Sequence, residues 1–183
     1  MKTLSVIVTG AIAAVALSAC ASGQDSGSVD PSGASASADT EWANPDAPDT
    51  FKFMATDLVT GEPVDGTTLI GKDAVLWFWA SWCPICAAET GVWVKAQPDI
   101  PEGTVFLGIA GLSDAESAQD FIDEHGMEVF PHIYDEDGSI WRGFGVTAQP
   151  TMILINQDGR AQTYTGGYGY HDVVEKMAWL AES

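Results

Sequence analysis

The amino-acid sequence predicts an α/β domain of three layers, in which helices flank a mixed β-sheet. Residues 74–80 form a continuous apolar run with the length of a strand that is buried on both faces. Directly after this run, apolar residues recur at intervals of three and four, which is the helical period. Near the C-terminus, a turn at residues 156–159 joins two short strand-like segments and a helical pattern follows them.

The first elements of the domain are a hairpin and a central strand. Phe51 and Phe53 alternate with Lys52, and the turn-forming sequence Thr-Gly-Glu-Pro follows at residues 60–63, so a short β-hairpin is expected. The apolar run at residues 74–80 then predicts a central strand that leads directly to a pair of cysteines.

The pattern after the central strand predicts a helix that begins beside the first cysteine of the pair. Pro84 suits a first helical turn, where its missing N–H is not needed. The apolar residues that define the helical period are Ile85, Ala88, Val92 and Ala96. Cys83 is therefore expected at the helix N-terminus.

The next two elements repeat the strand and helix order. Residues 104–110 predict a second buried strand, and the sequence Ser-Asp-Ala-Glu at residues 113–116 matches a capping box. Strand, helix and strand in this order imply a parallel, right-handed crossover. The inward positions expected on the second helix are Ala115, Ala118, Phe121 and Ile122.

The last elements are expected to close the sheet with antiparallel strands. Residues 151–155 and residues 160–165 flank the turn and form the predicted hairpin. A final helix is indicated by four apolar residues at helical spacing, Val173, Val174, Met177 and Leu180.

The N-terminus has the pattern of an export signal. Lys2 precedes an apolar segment at residues 4–17 and a group of small residues. That segment is shorter than the roughly 20 residues of a membrane-spanning helix, so residues 1–19 are interpreted as a signal peptide. Residues 20–49 are mostly Ser, Gly, Ala and Asp, which indicates a flexible acidic linker before a domain at residues 50–183.

The charge balance excludes one class of partner. The chain has 26 acidic and 7 basic residues, for a net charge of −19. A field of this sign repels phosphate, so nucleic acid is not an expected partner.

Cys83 and Cys86 form a Cys-x-x-Cys pair at the start of the predicted helix. Unpaired N–H groups and the helix dipole stabilise a thiolate on the first cysteine, and the second lies one turn into the helix. Such a pair can exchange disulfides with a substrate through a mixed disulfide. A purely structural bridge between them would close too short a loop to stabilise the fold much.

Residues 79–86, Trp-Ala-Ser-Trp-Cys-Pro-Ile-Cys, resemble the active site of thioredoxin-fold oxidoreductases. Three further features resemble the extracytoplasmic TlpA/DsbE-type branch of this fold, namely the opening hairpin, Glu89 and residues 148–151. This branch is AhpC/TSA-redoxin-like, and the resemblance is strongest to its secreted actinobacterial members. The resemblance runs from Phe51 to the C-terminus and implies a thioredoxin-like fold. Leu-Ser-Ala-Cys at residues 17–20 resembles a bacterial lipoprotein signal, which implies lipidation of Cys20 and leaves two cysteines for chemistry.

The resemblance also implies roles for individual residues. Cys83 would be the nucleophile, Cys86 the resolving thiol and Glu89 an acceptor for the proton of Cys86. A solvated helix charge is the alternative interpretation of Glu89. Four residues are expected to bind substrate, namely Trp82, Pro84, Gln149 and Pro150. Pro150 matches the family's cis-proline.

The function expected from the resemblance is exchange of disulfides with exported proteins at the outer face of the cell membrane, without a cofactor beyond the cysteine pair. Oxidative folding, with recharging by a quinone-linked thiol oxidase, is slightly favoured. The other direction is reduction, for instance of apocytochrome c, supplied by a CcdA/DsbD-type thiol carrier.

Two alternatives start from the same cysteines. A thioredoxin-fold copper-binding lipoprotein is the second hypothesis, although His125, His132 and His171 show no ligand spacing with the cysteines and no metal site is expected. A peroxiredoxin-type peroxidase needs Thr or Ser three residues before a single reactive cysteine, and Ala80 occupies that position.

Overall fold

The computed structural model describes residues 43–182. The predicted signal peptide, Cys20 and most of the predicted linker lie outside these residues. Seven strands and four α-helices occur in the described part, with short 3-10 turns between some of them. In chain order they are β1 (Met54–Thr56), β2 (Pro63–Asp65), β3 (Ala74–Trp79), α1 (Pro84–Ala96), β4 (Val105–Ala110), α2 (Ala115–His125), β5 (His132–Tyr134), α3 (Ser139–Gly143), β6 (Thr151–Ile155), β7 (Ala161–Thr165) and α4 (Tyr170–Ala181).

The main sheet has five strands in the order β5-β4-β3-β6-β7, and β1 and β2 pair separately as an antiparallel hairpin. β3, β4 and β5 run parallel, whereas β6 and β7 are antiparallel to their neighbours. The predicted mixed sheet and opening hairpin are confirmed, although Phe51 lies in a 3-10 turn (Asp49–Phe51) before the hairpin.

The central strand β3 separates two apolar layers. Val75, Trp77 and Trp79 pack against the core that α1, α2 and α4 cover. Leu76 and Phe78 face the second core, which includes side chains from α3 and from the segment before β3. All six residues of β3 are buried, because helices or turns cover both faces of the sheet.

The buried face of α1 differs from the predicted one. Ile85 and Ala88 are exposed, Val92 is partly buried, and only Ala96 of the predicted set is fully buried. The core face instead consists of Cys86, Glu89, Thr90, Trp93 and Ala96. The apolar spacing therefore predicted the helix correctly but its buried side wrongly, because a thiol and a carboxylate lie on the core side.

The start of α2 also differs in detail from the prediction. Asp114, not Ser113, caps the helix, and its carboxylate accepts the N–H of Ser117 at 2.8 Å. Ala115 lies in the exposed first turn, whereas Ala118, Phe121 and Ile122 are buried as expected.

Part of the segment assigned to the linker contacts the domain. The N–H of Ala43 donates to a carboxylate oxygen of Asp65 at 2.8 Å, and Ala47 is buried. None of the helices among residues 43–182 has the length and apolar character needed to cross a membrane.

Candidate active site

The cysteine pair lies where β3 ends and α1 begins. The N–H of Cys83 donates to the carbonyl of Ala80 at 3.0 Å, which closes a turn after the strand. Cys83 is the N-cap residue of α1, and Pro84 occupies the first helical position. The Sγ of Cys83 accepts the N–H of Cys86 at 3.1 Å, so a backbone donor of the first turn is directed at the sulfur. A thiolate at this position is stabilised by that donor and by the helix dipole.

Both thiols are free and buried, but they differ in their surroundings. Cys83 is 3% exposed and Cys86 is fully buried. Burial raises the pKa of Cys86 well above its ordinary value, and the nearby Cys83 and Glu89 raise it further. Cys86 therefore keeps its proton at neutral pH until a base removes it.

Glu89 faces the core one turn after Cys86 and is only 4% exposed. Its carboxylate accepts two hydrogen bonds, from the indole Nε1 of Trp77 at 2.9 Å and from the N–H of Tyr168 at 2.6 Å. Burial raises the pKa of Glu89, and these two donors oppose that rise. Glu89 is therefore not a solvated helix charge but a fixed carboxylate on the cysteine-bearing face of α1.

The predicted proline lies at the start of β6. The Gln149–Pro150 peptide bond is cis, as the resemblance implies. Thr151, the next residue, pairs with Phe78 near the end of β3. This register brings Gln149 and Pro150 to the end of the sheet from which the chain continues to Cys83.

Trp82 is the exposed aromatic residue beside Cys83. It is 59% exposed, and its indole Nε1 donates to the carbonyl of Leu112 at 2.7 Å. Trp79, the last residue of β3, is fully buried and stacks on Phe121 at 4.5 Å between ring centroids.

Three residues near the site were not singled out from the sequence as functional, namely Trp77, Leu112 and Tyr168. Leu112 follows β4, which runs parallel to β3. Because the carboxyl ends of adjacent parallel strands lie at the same edge of a sheet, the sequence could have placed Leu112 near the cysteine pair. Tyr168 acts through its backbone, which leaves no signal in residue type.

Residues 43–182 contain no group of three or more His, Cys, Asp or Glu side chains that could hold a metal ion. His132 is fully buried, and its Nε2 lies 3.1 Å from the carbonyl of Met127.

Comparisons with known proteins agree with this geometry. A family model described as the AhpC/TSA family matches residues 44–163. The soluble secreted antigen MPT53 of Mycobacterium tuberculosis is 39% identical over 62% of this chain, and the match spans 64% of that relative's length. The thiol-disulfide oxidoreductase ResA of Halalkalibacterium halodurans is 32% identical over 68% of this chain and 71% of its own.

A solved structure extends the comparison to the fold. The secreted Mycobacterium tuberculosis disulfide oxidoreductase homologous to E. coli DsbE superposes with a TM-score of 0.63 and 33% identity, over 73% of this chain and 100% of that one. The predicted thioredoxin-like fold is therefore confirmed.

Proposed function

Because the chain belongs to the AhpC/TSA family, we propose that it is a thiol–disulfide oxidoreductase in which Cys83 is the nucleophile and Cys86 the resolving thiol. The observation that carries this proposal is the N-cap position of Cys83, whose sulfur accepts the N–H of Cys86 at 3.1 Å. That arrangement favours a thiolate on Cys83, while burial keeps Cys86 protonated.

In the reducing direction, the thiolate of Cys83 attacks one sulfur of a substrate disulfide. The substrate S–S bond breaks, a mixed disulfide forms on Cys83 and the other substrate sulfur leaves as a thiolate. Cys86 then loses its proton and attacks the sulfur of Cys83, which releases the second substrate thiolate and leaves a Cys83–Cys86 disulfide. Oxidation of a substrate dithiol follows the same steps in reverse.

Glu89 accepts the proton of Cys86 in the resolving step. Its buried position brings a carboxylate to the same helical face as the thiol, and its raised pKa makes it a stronger base than an ordinary glutamate. The charged carboxylate also raises the pKa of Cys86. Transfer of the proton neutralises the carboxylate and so removes its repulsion of the Cys86 thiolate.

Substrate binding is assigned to the residues around the nucleophile. Trp82 and Pro84 flank Cys83 in the chain, and Gln149 and Pro150 lie at the neighbouring end of β6. An extended substrate segment lying there brings its cysteine to Cys83.

The proposed location is the extracytoplasmic face of the cell membrane, with the chain anchored by a diacylated Cys20 after removal of residues 1–19. The secreted relatives support export of the chain. The substrates are thiols and disulfides of exported proteins, and oxidation is the favoured direction. A quinone-linked thiol oxidase or a CcdA/DsbD-type carrier is the membrane redox partner.

Trapping of mixed disulfides tests the two cysteine roles. In cells that export the protein, Cys86→Ala is expected to accumulate covalent complexes with exported proteins, because the resolving thiol is absent. Cys83→Ala should trap few. Equal trapping by both variants, seen on non-reducing gels, would contradict the assignment.

Replacement of Cys20 tests the anchor. Cys20→Ala is expected to move the chain from the membrane fraction to the medium without loss of its exchange with glutathione. Retention of the variant in the membrane fraction would show that Cys20 does not anchor the protein.

A further inference from the structure

Three large apolar side chains remain exposed beside the nucleophile. Trp82 is 59% exposed, Ile85 is 50% exposed and Leu112 is 60% exposed. Trp82 precedes Cys83, Ile85 lies between the two cysteines, and the carbonyl of Leu112 is bound by the indole of Trp82. These three residues are called the apolar rim. Their side chains stay exposed to solvent in the folded chain, and adjacent exposed apolar side chains are typical of a surface that binds a partner.

The loop that presents Leu112 is fixed in an unfavourable conformation. Leu112 has a φ of 57°, in the left-handed region that leucine rarely adopts. Two hydrogen bonds hold the loop there, from Trp82 Nε1 to the carbonyl of Leu112 at 2.7 Å and from the Tyr134 hydroxyl to the carbonyl of Ser113 at 2.6 Å. The fold thus maintains backbone strain in order to hold an apolar side chain in solvent beside the active site.

An anionic groove adjoins the rim. It has a volume of about 280 Å³ and runs between the Ser81–Trp82 segment and α2, and its ionisable lining residues are Asp120, Glu124 and His125. Helix α2 and its N-cap carry five carboxylates, at Asp114, Glu116, Asp120, Asp123 and Glu124.

No fixed cation of the neighbouring elements balances these carboxylates. The chain has no lysine or arginine between Lys72 and Lys95 or between Lys95 and Arg142, a range that includes β3, α2 and nearly all of α1. Lys176 of α4 lies over the rings of Tyr164 and Tyr168 instead, at 4.5 and 5.0 Å from their centroids. The border of the apolar rim therefore attracts positive charge.

We propose that the apolar rim and the groove bind an extended substrate segment that has an apolar residue next to its reacting cysteine and a lysine or arginine a few residues away. This inference rests on the thiol–disulfide exchange proposed above and adds the class of segment that is preferred. The apolar residue is buried against the rim, and the cation lies between the Trp82 ring and the carboxylates of α2. Acidic segments are repelled, and so is a second copy of the chain, whose net charge is −19.

The test measures attack by Cys83 on peptides that differ only in charge. The full chain carries Cys20→Ser and Cys86→Ala, so that Cys83 is its single thiol. Each peptide has one cysteine, with leucine before it, activated as a mixed disulfide with thionitrobenzoate. Attack joins the peptide to Cys83 and releases thionitrobenzoate, which is followed by absorbance. The peptides carry two lysines, two glutamates or two glutamines.

The lysine peptide is expected to react about tenfold faster than the glutamate peptide at low salt, and the ratio should approach one in 0.5 M salt. Asp120→Asn with Glu124→Gln should reduce the ratio several-fold. The matched control is Glu102→Gln with Asp158→Asn, which removes two exposed carboxylates from loops at the opposite end of the sheet and should leave the ratio unchanged.

A second variant tests the apolar rim separately. Leu112→Asn removes the apolar side chain and introduces a residue type that tolerates the left-handed conformation. It should reduce the advantage of a leucine-cysteine peptide over a glycine-cysteine peptide, with little effect on the charge ratio.

The mixed disulfide of mercaptoethanol and thionitrobenzoate reports the intrinsic reactivity of Cys83. Equal rates for the three charged peptides, together with normal reaction of this small reagent, would overturn the inference and leave the proposed function intact. Failure of Cys83 to react with any reagent would overturn both. Concentration-dependent dimerisation that blocks the peptides would assign the rim to a second copy and also overturn the inference.

Discussion

Replacing Trp77 by phenylalanine should shift the pH dependence of the resolving step. The Trp77 indole is one of two groups that donate to the Glu89 carboxylate, at 2.9 Å, and both residues are buried. A hydrogen bond to a charged group contributes about 1.5–3 kcal/mol, and about 1.4 kcal/mol corresponds to one pKa unit. Loss of the indole N–H should therefore raise the pKa of Glu89 by about one to two further units.

The assay follows two successive releases of thionitrobenzoate from Ellman's reagent in a chain that carries Cys20→Ser. Cys83 attacks first, and the second release occurs when Cys86 attacks the sulfur of Cys83. The rate of this second step depends on an ionised Glu89 if that residue accepts the proton. Its inflection should move to higher pH in Trp77→Phe, by about the same one to two units, and disappear in Glu89→Gln.

Trp93→Phe is the matched control for this substitution. Trp93 is equally buried and close to Trp77, but within the described part of the chain its indole N–H has no hydrogen-bond partner. The control loses the same volume without losing a donor to Glu89. If the two variants have the same pH profile, Trp77 does not act through Glu89.

Two further predictions concern the packing around His132. Gly108→Ala should destabilise the fold by about 2 kcal/mol or more in urea unfolding, because a Cβ there would lie 1.9 Å from His132 Nδ1. The control Gly91→Ala should instead give a small gain in stability, because Gly91 is an exposed residue of α1 and its added Cβ meets nothing within 4 Å. Burial lowers the pKa of His132 from 6.5 to about 4. Between these two pH values the unfolded chain binds a proton at His132 and the folded chain does not. Stability should fall by up to about 3 kcal/mol as pH drops from 6.5 to 4. This acid loss should shrink in His132→Gln and persist in His125→Gln; equal losses in both would contradict the role of His132.

The strands were predictable because their burial is visible in composition. β3, β4 and β6 are covered on both faces, so that each forms a nearly continuous apolar run with bounds close to those observed. β5 and α3 were missed because they span only 3 and 5 residues, too short for a period to be recognised.

The buried face of α1 was predicted wrongly because an apolar residue of this helix is exposed and a charged one is buried. Ile85 is exposed between the two cysteines, and Glu89 is buried on the core side. A buried carboxylate needs partners, and those of Glu89 are Trp77 and Tyr168, which lie 12 and 79 residues away in the chain. Residue periodicity within one helix contains no information about such distant donors.

The cysteine pair was identified from the sequence because its spacing and its position after a buried strand follow local rules. Its motif could not reveal the strained Leu112 or the anionic groove beside Trp82. Both depend on how the loop after β4 and the helix α2 pack next to the end of β3.

The reduction potential of the Cys83–Cys86 pair is the most direct measure of whether the two cysteines exchange disulfides, and in which direction. The chain with Cys20→Ser is equilibrated in glutathione buffers, and the redox state is followed by tryptophan fluorescence, which should respond because Trp82 adjoins Cys83. One reversible two-electron transition is expected, at about −180 mV or above for a disulfide donor. A value at or below about −270 mV would reverse the favoured direction to reduction. Absence of any exchange with the buffer would contradict the thiol–disulfide oxidoreductase function itself.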